Sequence, residues 1–252
     1  MPDKPHDPIP KIVPPPDRPG TPALAVRIRS IPRPPLTVGV YAISAICGLL
    51  DAASFLGLGH VFVEIMTGNI VLLAFSVGAR GARQLTSAFG GMVLPYVVAL
   101  TSFVVGAVAG GRLVRAGETG RRAGFASDGS LIGVAALVVA LTHPGPTSHA
   151  RYLVIGILSF AMGIQNALLR RWGIRDLATN LMTLTLTGLL ADSTLGGGNN
   201  PRAVRRSLSI VIFAVSAGAG AFMTRYGLLW PILTSFTLFV LALPILLQPP
   251  SK

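Results

Sequence analysis

Eight stretches of this chain are apolar, separated by polar or arginine-bearing turns, at residues 36–58, 61–79, 86–111, 129–143, 152–169, 178–194, 207–224 and 228–247. The first, LTVGVYAISAICGLLDAASFLGL, is apolar on nearly all faces except one. A membrane-spanning helix needs about 20 such residues. A chain of 252 residues therefore holds six to eight spans and leaves no room for a second soluble domain. The pattern predicts an all-α fold, a polytopic helical membrane protein with six to eight apolar segments. Small residues recur four apart in GAVAG at 106–110 and in SAGAGA at 216–221, where helix backbones can approach closely in lipid. Pro95, Pro231 and Pro244 fall within or near spans, where neighbouring helices can accommodate a kink.

Composition agrees: 51% of residues are hydrophobic and 12% charged, against about 25% charged in soluble domains. Residues 1–35 hold 12 of the 20 prolines together with Lys4, Lys11, Arg18, Arg27, Arg29 and Arg33. That density blocks helix and predicts a disordered basic cytoplasmic arm, followed by one transmembrane domain at 36–247 and a short polar tail at 248–252. No short apolar core with a small-residue cleavage site follows the arm, so it does not read as a signal peptide. The net charge of +12 rests on 18 arginines and three lysines. They cluster at span ends, where they set orientation and meet lipid headgroups, and they form no aromatic-interleaved patch for nucleic acid. The single cysteine, Cys47, excludes an intramolecular disulfide and a cysteine-based zinc site.

Asp51, Glu64 and Asp192 are three of nine acidic residues, each inside or at the edge of an apolar segment. A carboxylate near the bilayer centre costs about 2.5–3.5 kcal/mol on insertion scales, so it needs a partner, a cavity or a pathway. Asp51 shares a helical face with Ser44, Cys47, Gly48 and Ser54. An ion or proton site and a structural, hydrogen-bonded acid are both open readings of it. Thr67-Gly68-Asn69 follows in the next segment. His60 and Glu64, one turn apart if helical, form a candidate proton relay; placement at the interface, near a turn at Gly57 and Gly59, is the plainer alternative. Thr179, Thr183 and Thr187 make a hydroxyl stripe beside Thr185, Gly188 and Asp192. Threonines also bond their own helix backbone, so the stripe alone carries little.

The two halves of the chain echo one another. Ser44, Gly48 and Asp51 match Ser159, Gly163 and Asn166 at an offset of 115, and one residue later Thr67 and Asn69 match Thr183 and Thr185. Charge counting bears on how the copies run. With eight spans and the N-terminus inside, ten basic residues near the membrane fall inside and eight outside. If 61–79 and 178–194 instead enter and leave on one side, fourteen fall inside and only Arg80, Arg83, Arg151 and Arg225 outside. That is a strong positive-inside bias, and it makes the copies an inverted repeat of the kind whose transport sites form between the halves.

The stretches GLLDAASFLGLGHVFVEIMTGNIVLL at 48–73 and GIQNALLRRWGIRDLATNLMTLTLTGLLAD at 163–192 resemble the YoaK family of bacterial integral membrane proteins. The first-helix acid, the Thr-Gly-Asn motif, the Gln-Asn pair and the threonine run ending in an acid keep the family's order. The similarity covers about 36–247. Leu184 replaces an expected glycine, and Glu64 stands where a small or apolar residue is more usual. The resemblance implies a polytopic fold in a bacterial cytoplasmic membrane and brings no substrate.

No metalloprotease, nucleophile-elbow, P-loop or dinucleotide motif is present, and the four histidines show no metal-ligand spacing, so no enzyme, metal or cofactor is expected. The sequence therefore predicts a small-solute or ion permease. Its site would form where Asp51, Thr67, Gly68, Asn69, Gln165, Asn166, Thr183 and Asp192 converge, the two acids carrying protons or cations. The alternative is a non-transporting scaffold or sensor that uses the basic arm.

Overall fold

The computed structural model describes residues 34–78, 93–172, 182–200 and 202–248. Residues 1–33 of the proline-rich arm, the tail from 249 and Thr179 lie outside the described residues. The described chain is helical, with no strand. It comprises α1 (Pro34–Gly57), α2 (Met66–Gly78), α3 (Leu94–Arg115), α4 (Gly117–Thr142), α5 (Ala150–Trp172), α6 (Met182–Ala191), α7 (Ala203–Thr224) and α8 (Leu229–Leu246). Six of these (α1, α3, α4, α5, α7 and α8) are long and apolar enough to cross a membrane. The described parts of the other two have 13 and 10 residues, about 20 and 15 Å at 1.5 Å per residue, against a hydrocarbon core of ~30 Å.

The element boundaries have local causes. After α1 the chain breaks at Gly59 and His60, both at positive φ, 100° and 61°, a conformation that stops a right-handed helix. Residues 58–65 then run irregularly into α2. α3 and α4 meet at a tight corner where Gly117 takes φ 67°. The expected span at 129–143 in fact starts at Gly117, because the polar stretch ETGRRAGFASD is helical. Gly120 and Gly124 let it lie against Leu113 and Leu168. Arg121, 2% exposed, hydrogen-bonds Glu118 and donates to the carbonyls of Leu246 and Leu247, so it caps the C-terminus of α8.

Contacts between named residues fix the helix directions. α1 runs parallel to α7: Tyr41 donates to the Arg205 carbonyl, Ser44 faces Ser209, and Gly57 approaches Thr224. α3 runs parallel to α5, with Gly106 on Phe160 and Gly110 on Ile164. α8 is antiparallel to α1 (Gly39 on Leu246, Gly57 on Leu228) and to α4 (Gly129 on Phe239, Arg121 on Leu246). Thus α1, α4 and α7 point one way and α3, α5 and α8 the other. The end where α1 starts is termed proximal, the other distal. α1 ends and α3 begins at the distal end, while α5 ends and α7 begins at the proximal end. Neither α2 nor α6 carries the chain across. The core lies around α1 and α5, the most enclosed spans; α3 and α7 expose most of their surface, including Val104, Val105, Val211 and Val215.

Candidate functional site

The loop 58–65 folds back against α1, and Asp51 holds it there. The Asp51 Oδ1 accepts hydrogen bonds from the backbone N–H of Val63 and of Glu64, both at 2.9 Å, with the Ile65 N–H close by. Asn69, in the first turn of α2, clasps the same loop from the other side. Its Nδ2 donates to the Phe62 carbonyl at 2.7 Å, and its Oδ1 accepts from the Phe62 N–H at 2.9 Å. Buried backbone polar groups require partners. Two side chains on two helices therefore supply them to a segment that has no secondary structure of its own. Asp51 is 3% exposed and Asn69 0%.

The loop brings a second acid with it. Glu64 is 1% exposed and its carboxyl interacts electrostatically with Asp51. The Asp51 Oδ2 is buried and accepts no hydrogen bond from the described residues. Arg151, at the distal start of α5, lies over the same loop, with its guanidinium against Gly59. The proposed His60–Glu64 relay is split by the loop. Glu64 points into the interior, whereas His60 is exposed and packs edge-on against Phe55, ring centroids 5.1 Å apart. Their expected spacing assumed helix at 58–65, which Gly59 and His60 break.

Thr67, Gly68, Thr183 and Asp192 do not join Asp51. Thr67 and Gly68 line an open groove of about 480 Å³ on the flank of the bundle, walled by Phe55, Phe62, Val71 and Leu72. Thr183 is exposed, and its carbonyl accepts from Thr187 of its own helix. Asp192 lies just beyond α6 at the proximal end, 56% exposed, where it pairs with Arg206 at 2.6 Å. Arg206 also donates to the Gly188 carbonyl and so closes the end of α6. From the α1–α7 register, Asp51 lies about ten residues farther along the bundle than Arg206, roughly 15 Å. Asp192 therefore serves an end of the bundle that Asp51 cannot reach.

Gln165 and Asn166 occupy different environments. Asn166 donates to the Met162 carbonyl one turn back in its own helix. Gln165 is fully buried. Its Nε2 reaches the Cys47 Sγ at 3.3 Å and the Met162 Sδ at 3.7 Å, and its Oε1 meets no donor among the described residues. Cys47 is one helical turn from Asp51, so Gln165 extends the buried polar line from the loop into the centre.

One buried acid was missed in the sequence. Asp128, in α4, is 0% exposed, and neither carboxyl oxygen has a hydrogen-bond partner among the described residues. It stands one residue before the expected span at 129–143 and so fell outside the segments in which acids were sought. The usable signal was the small-residue spacing of Gly120 and Gly124 ahead of it, which carries the helix through the polar stretch.

The family described as "Protein of unknown function (DUF1275)" matches residues 39–245, almost the whole helical domain. This chain belongs to that family. It is 29% identical over 150 residues to the UPF0700 transmembrane protein YoaK of Bacillus subtilis (strain 168), a match covering 58% of this chain and 61% of that protein. The chain thus spans about three fifths of the length of the curated relative it matches. No solved structure matches it. The transmembrane relative and the six apolar helices together make this a multi-pass protein of the lipid bilayer.

Proposed function

We propose that this protein is a small-solute or ion transporter, rather than an enzyme, formed by two inverted copies of a three-span unit. The paired packing of the helices carries the reading. Gly48 of α1 meets Phe213 and Ala217 of α7, and Gly163 of α5 meets Phe103 and Ala107 of α3. Gly220 of α7 meets Leu49 and Ala52, and Gly110 of α3 meets Ile164 and Ala167. Residues of α1 and α5 correspond at an offset of 115, those of α3 and α7 at 110. Gly129 meets Phe239, its own counterpart at 110, so the relating axis passes where α4 crosses α8. The corresponding spans run in opposite directions.

Each unit carries one short helix that does not cross, α2 or α6. Discontinuous helices within inverted repeats are the devices around which many transporters build midplane sites. Among the described arginines, nine (Arg112, Arg115, Arg121, Arg122, Arg170, Arg171, Arg202, Arg205, Arg206) lie at the proximal end and two (Arg151, Arg225) at the distal end. Under the positive-inside rule this bias supports a cytoplasmic proximal end and N-terminus in a bacterial inner membrane. Cys47 is buried, which leaves a clean background for topology. Cysteines at Tyr226 and Arg171 should be labelled from opposite faces, Tyr226→Cys from outside; labelling of both from one side would refute the inverted arrangement.

Transport itself is tested by thermal stabilisation of the purified protein over a panel of neutral polar solutes and weak acids. A stabilising class should also enter proteoliposomes only when the protein is present. Silence across the panel, with no uptake of any member and none of Na⁺ or K⁺, would overturn the transporter reading.

A further inference from the structure

The centre of the bundle holds oxygen atoms that no donor among the described residues satisfies. Asp128 contributes two and Gln165 one, all fully buried. Asp128 is one turn along α4 from Gly124 and on the same face, and Gly124 packs on Leu168 of α5. The two helices are antiparallel, so one turn from Leu168 brings α5 to Ile164 and Gln165. Asp128 and Gln165 therefore stand at one level on facing sides of adjacent helices. That level is also where α4 crosses α8 at Gly129 and Phe239.

An unpaired carboxylate in such a place is costly to keep charged, and it must be neutralised by a proton, a basic side chain or a bound cation. The nearest basic residue on its own helix, Arg121, lies two turns away and is committed to Glu118 and the end of α8. On the facing turn of α5 the polar groups are Gln165 and Asn166; on α8 the flanking residues at this level, Leu238, Val240, Leu241 and Ala242, are apolar. The Gln165 amide nitrogen is engaged by two sulfur atoms, which leaves its oxygen as a buried acceptor with no donor among the described residues.

We propose that Asp128 and Gln165 bind a dehydrated monovalent cation at the centre of the bundle. Carboxylate and amide oxygens are hard donors of the kind that hold Na⁺ or K⁺, and a single carboxylate balances a single positive charge. A divalent ion would need further anionic ligands, and no group of three or more His, Cys, Asp or Glu is found among the described residues. The site stands whether or not a solute is carried, because it rests on the packing of α4 against α5.

The test is thermal unfolding of the purified full chain in NaCl or KCl against choline chloride at equal ionic strength. Wild type should gain several degrees, saturably, with one of the two metal ions and none with choline. Asp128→Asn should lose the response while remaining folded, with a melting temperature in choline no lower than wild type, since the buried charge is gone. Gln165→Leu should weaken the response at least several-fold. Indifference of wild type to both ions would overturn the proposal and leave a permanently protonated Asp128 donating to Gln165. An unchanged response in Asp128→Asn would equally overturn it. Stabilisation by the ion with no solute effect would remove the small-solute reading and keep this one.

Discussion

Placing a valine at Gly163 or at Gly106 is expected to abolish the folded protein. A Cβ on Gly163 would stand 2.3 Å from the Phe103 carbonyl oxygen and 2.7 Å from the Ala107 nitrogen; on Gly106 it would stand 2.1 Å from the Phe160 oxygen. These are backbone atoms of a neighbouring helix and cannot rotate away, so α3 and α5 must separate. Ordinary overpacking costs about 1–3 kcal/mol. Parting two parallel spans along their whole contact should reach or pass the upper end of that range. Gly48→Val on the equivalent α1–α7 contact, with its Cβ 2.5 Å from the Phe213 oxygen, should behave alike. Gly111→Val and Gly218→Val provide the control, since nothing lies within 4 Å of a Cβ there. Expression followed by size-exclusion chromatography in detergent reads the result. Tolerance of valine at Gly163 as at Gly111 would refute the close helix contact.

Much of this arrangement could be read from the chain because lipid imposes a simple rule. A helix must be long and apolar to cross, so α1, α3, α5, α7 and α8 stood out. Ser44, Gly48 and Asp51 announced a shared face, as did Ser159, Gly163 and Asn166 at the same spacing, but the spacing did not name the helices that Gly48 and Gly163 meet. Burial of Asp51 and Asn69 followed from their apolar surroundings. Their partners did not, because the loop that needs them has no periodicity. That the chain leaves α1 and enters α3 at one end, and leaves α5 and enters α7 at the other, was suggested in the sequence only by the count of arginines. Hydropathy cannot tell a 13-residue helix with an apolar lead-in from a span.

One misplacement and one omission have a single physical source, the ambiguity of charge at a segment edge. Asp192 follows an apolar run and looked intramembrane, yet it ends at the proximal face with Arg206 within 2.6 Å. Asp128 precedes an apolar run and was passed over, yet its helix starts eleven residues earlier, at Gly117. What separates the cases is the stretch beyond the acid. Gly-Gly-Gly-Asn-Asn ends a helix after Asp192, whereas Gly120 and Gly124, a turn apart, let a helix pass through before Asp128.

Asp51 itself yields the second large effect, and its variants separate latch from ion carrier. Asp51→Leu removes the acceptor for the Val63 and Glu64 N–H groups while leaving both buried. An unsatisfied buried donor costs about 1–3 kcal/mol, so the pair should cost about 2–6 kcal/mol. A protein whose total stability is of the order of 5–15 kcal/mol would lose much of its margin. The loop at 58–65 should then become open to protease, and the melting temperature should fall sharply. Asp51→Asn keeps an oxygen for both N–H groups and should be far milder. The measurement pairs limited proteolysis with thermal unfolding of wild type and both variants. A Leu variant as stable as the Asn variant would eliminate the latch. If Asp51→Asn stays folded but proteoliposome uptake disappears, the charge itself is needed for coupling, as its position in the sequence first suggested. If uptake persists, Asp51 is purely the anchor of the loop, and the coupling charge must be sought elsewhere, beginning with Asp128.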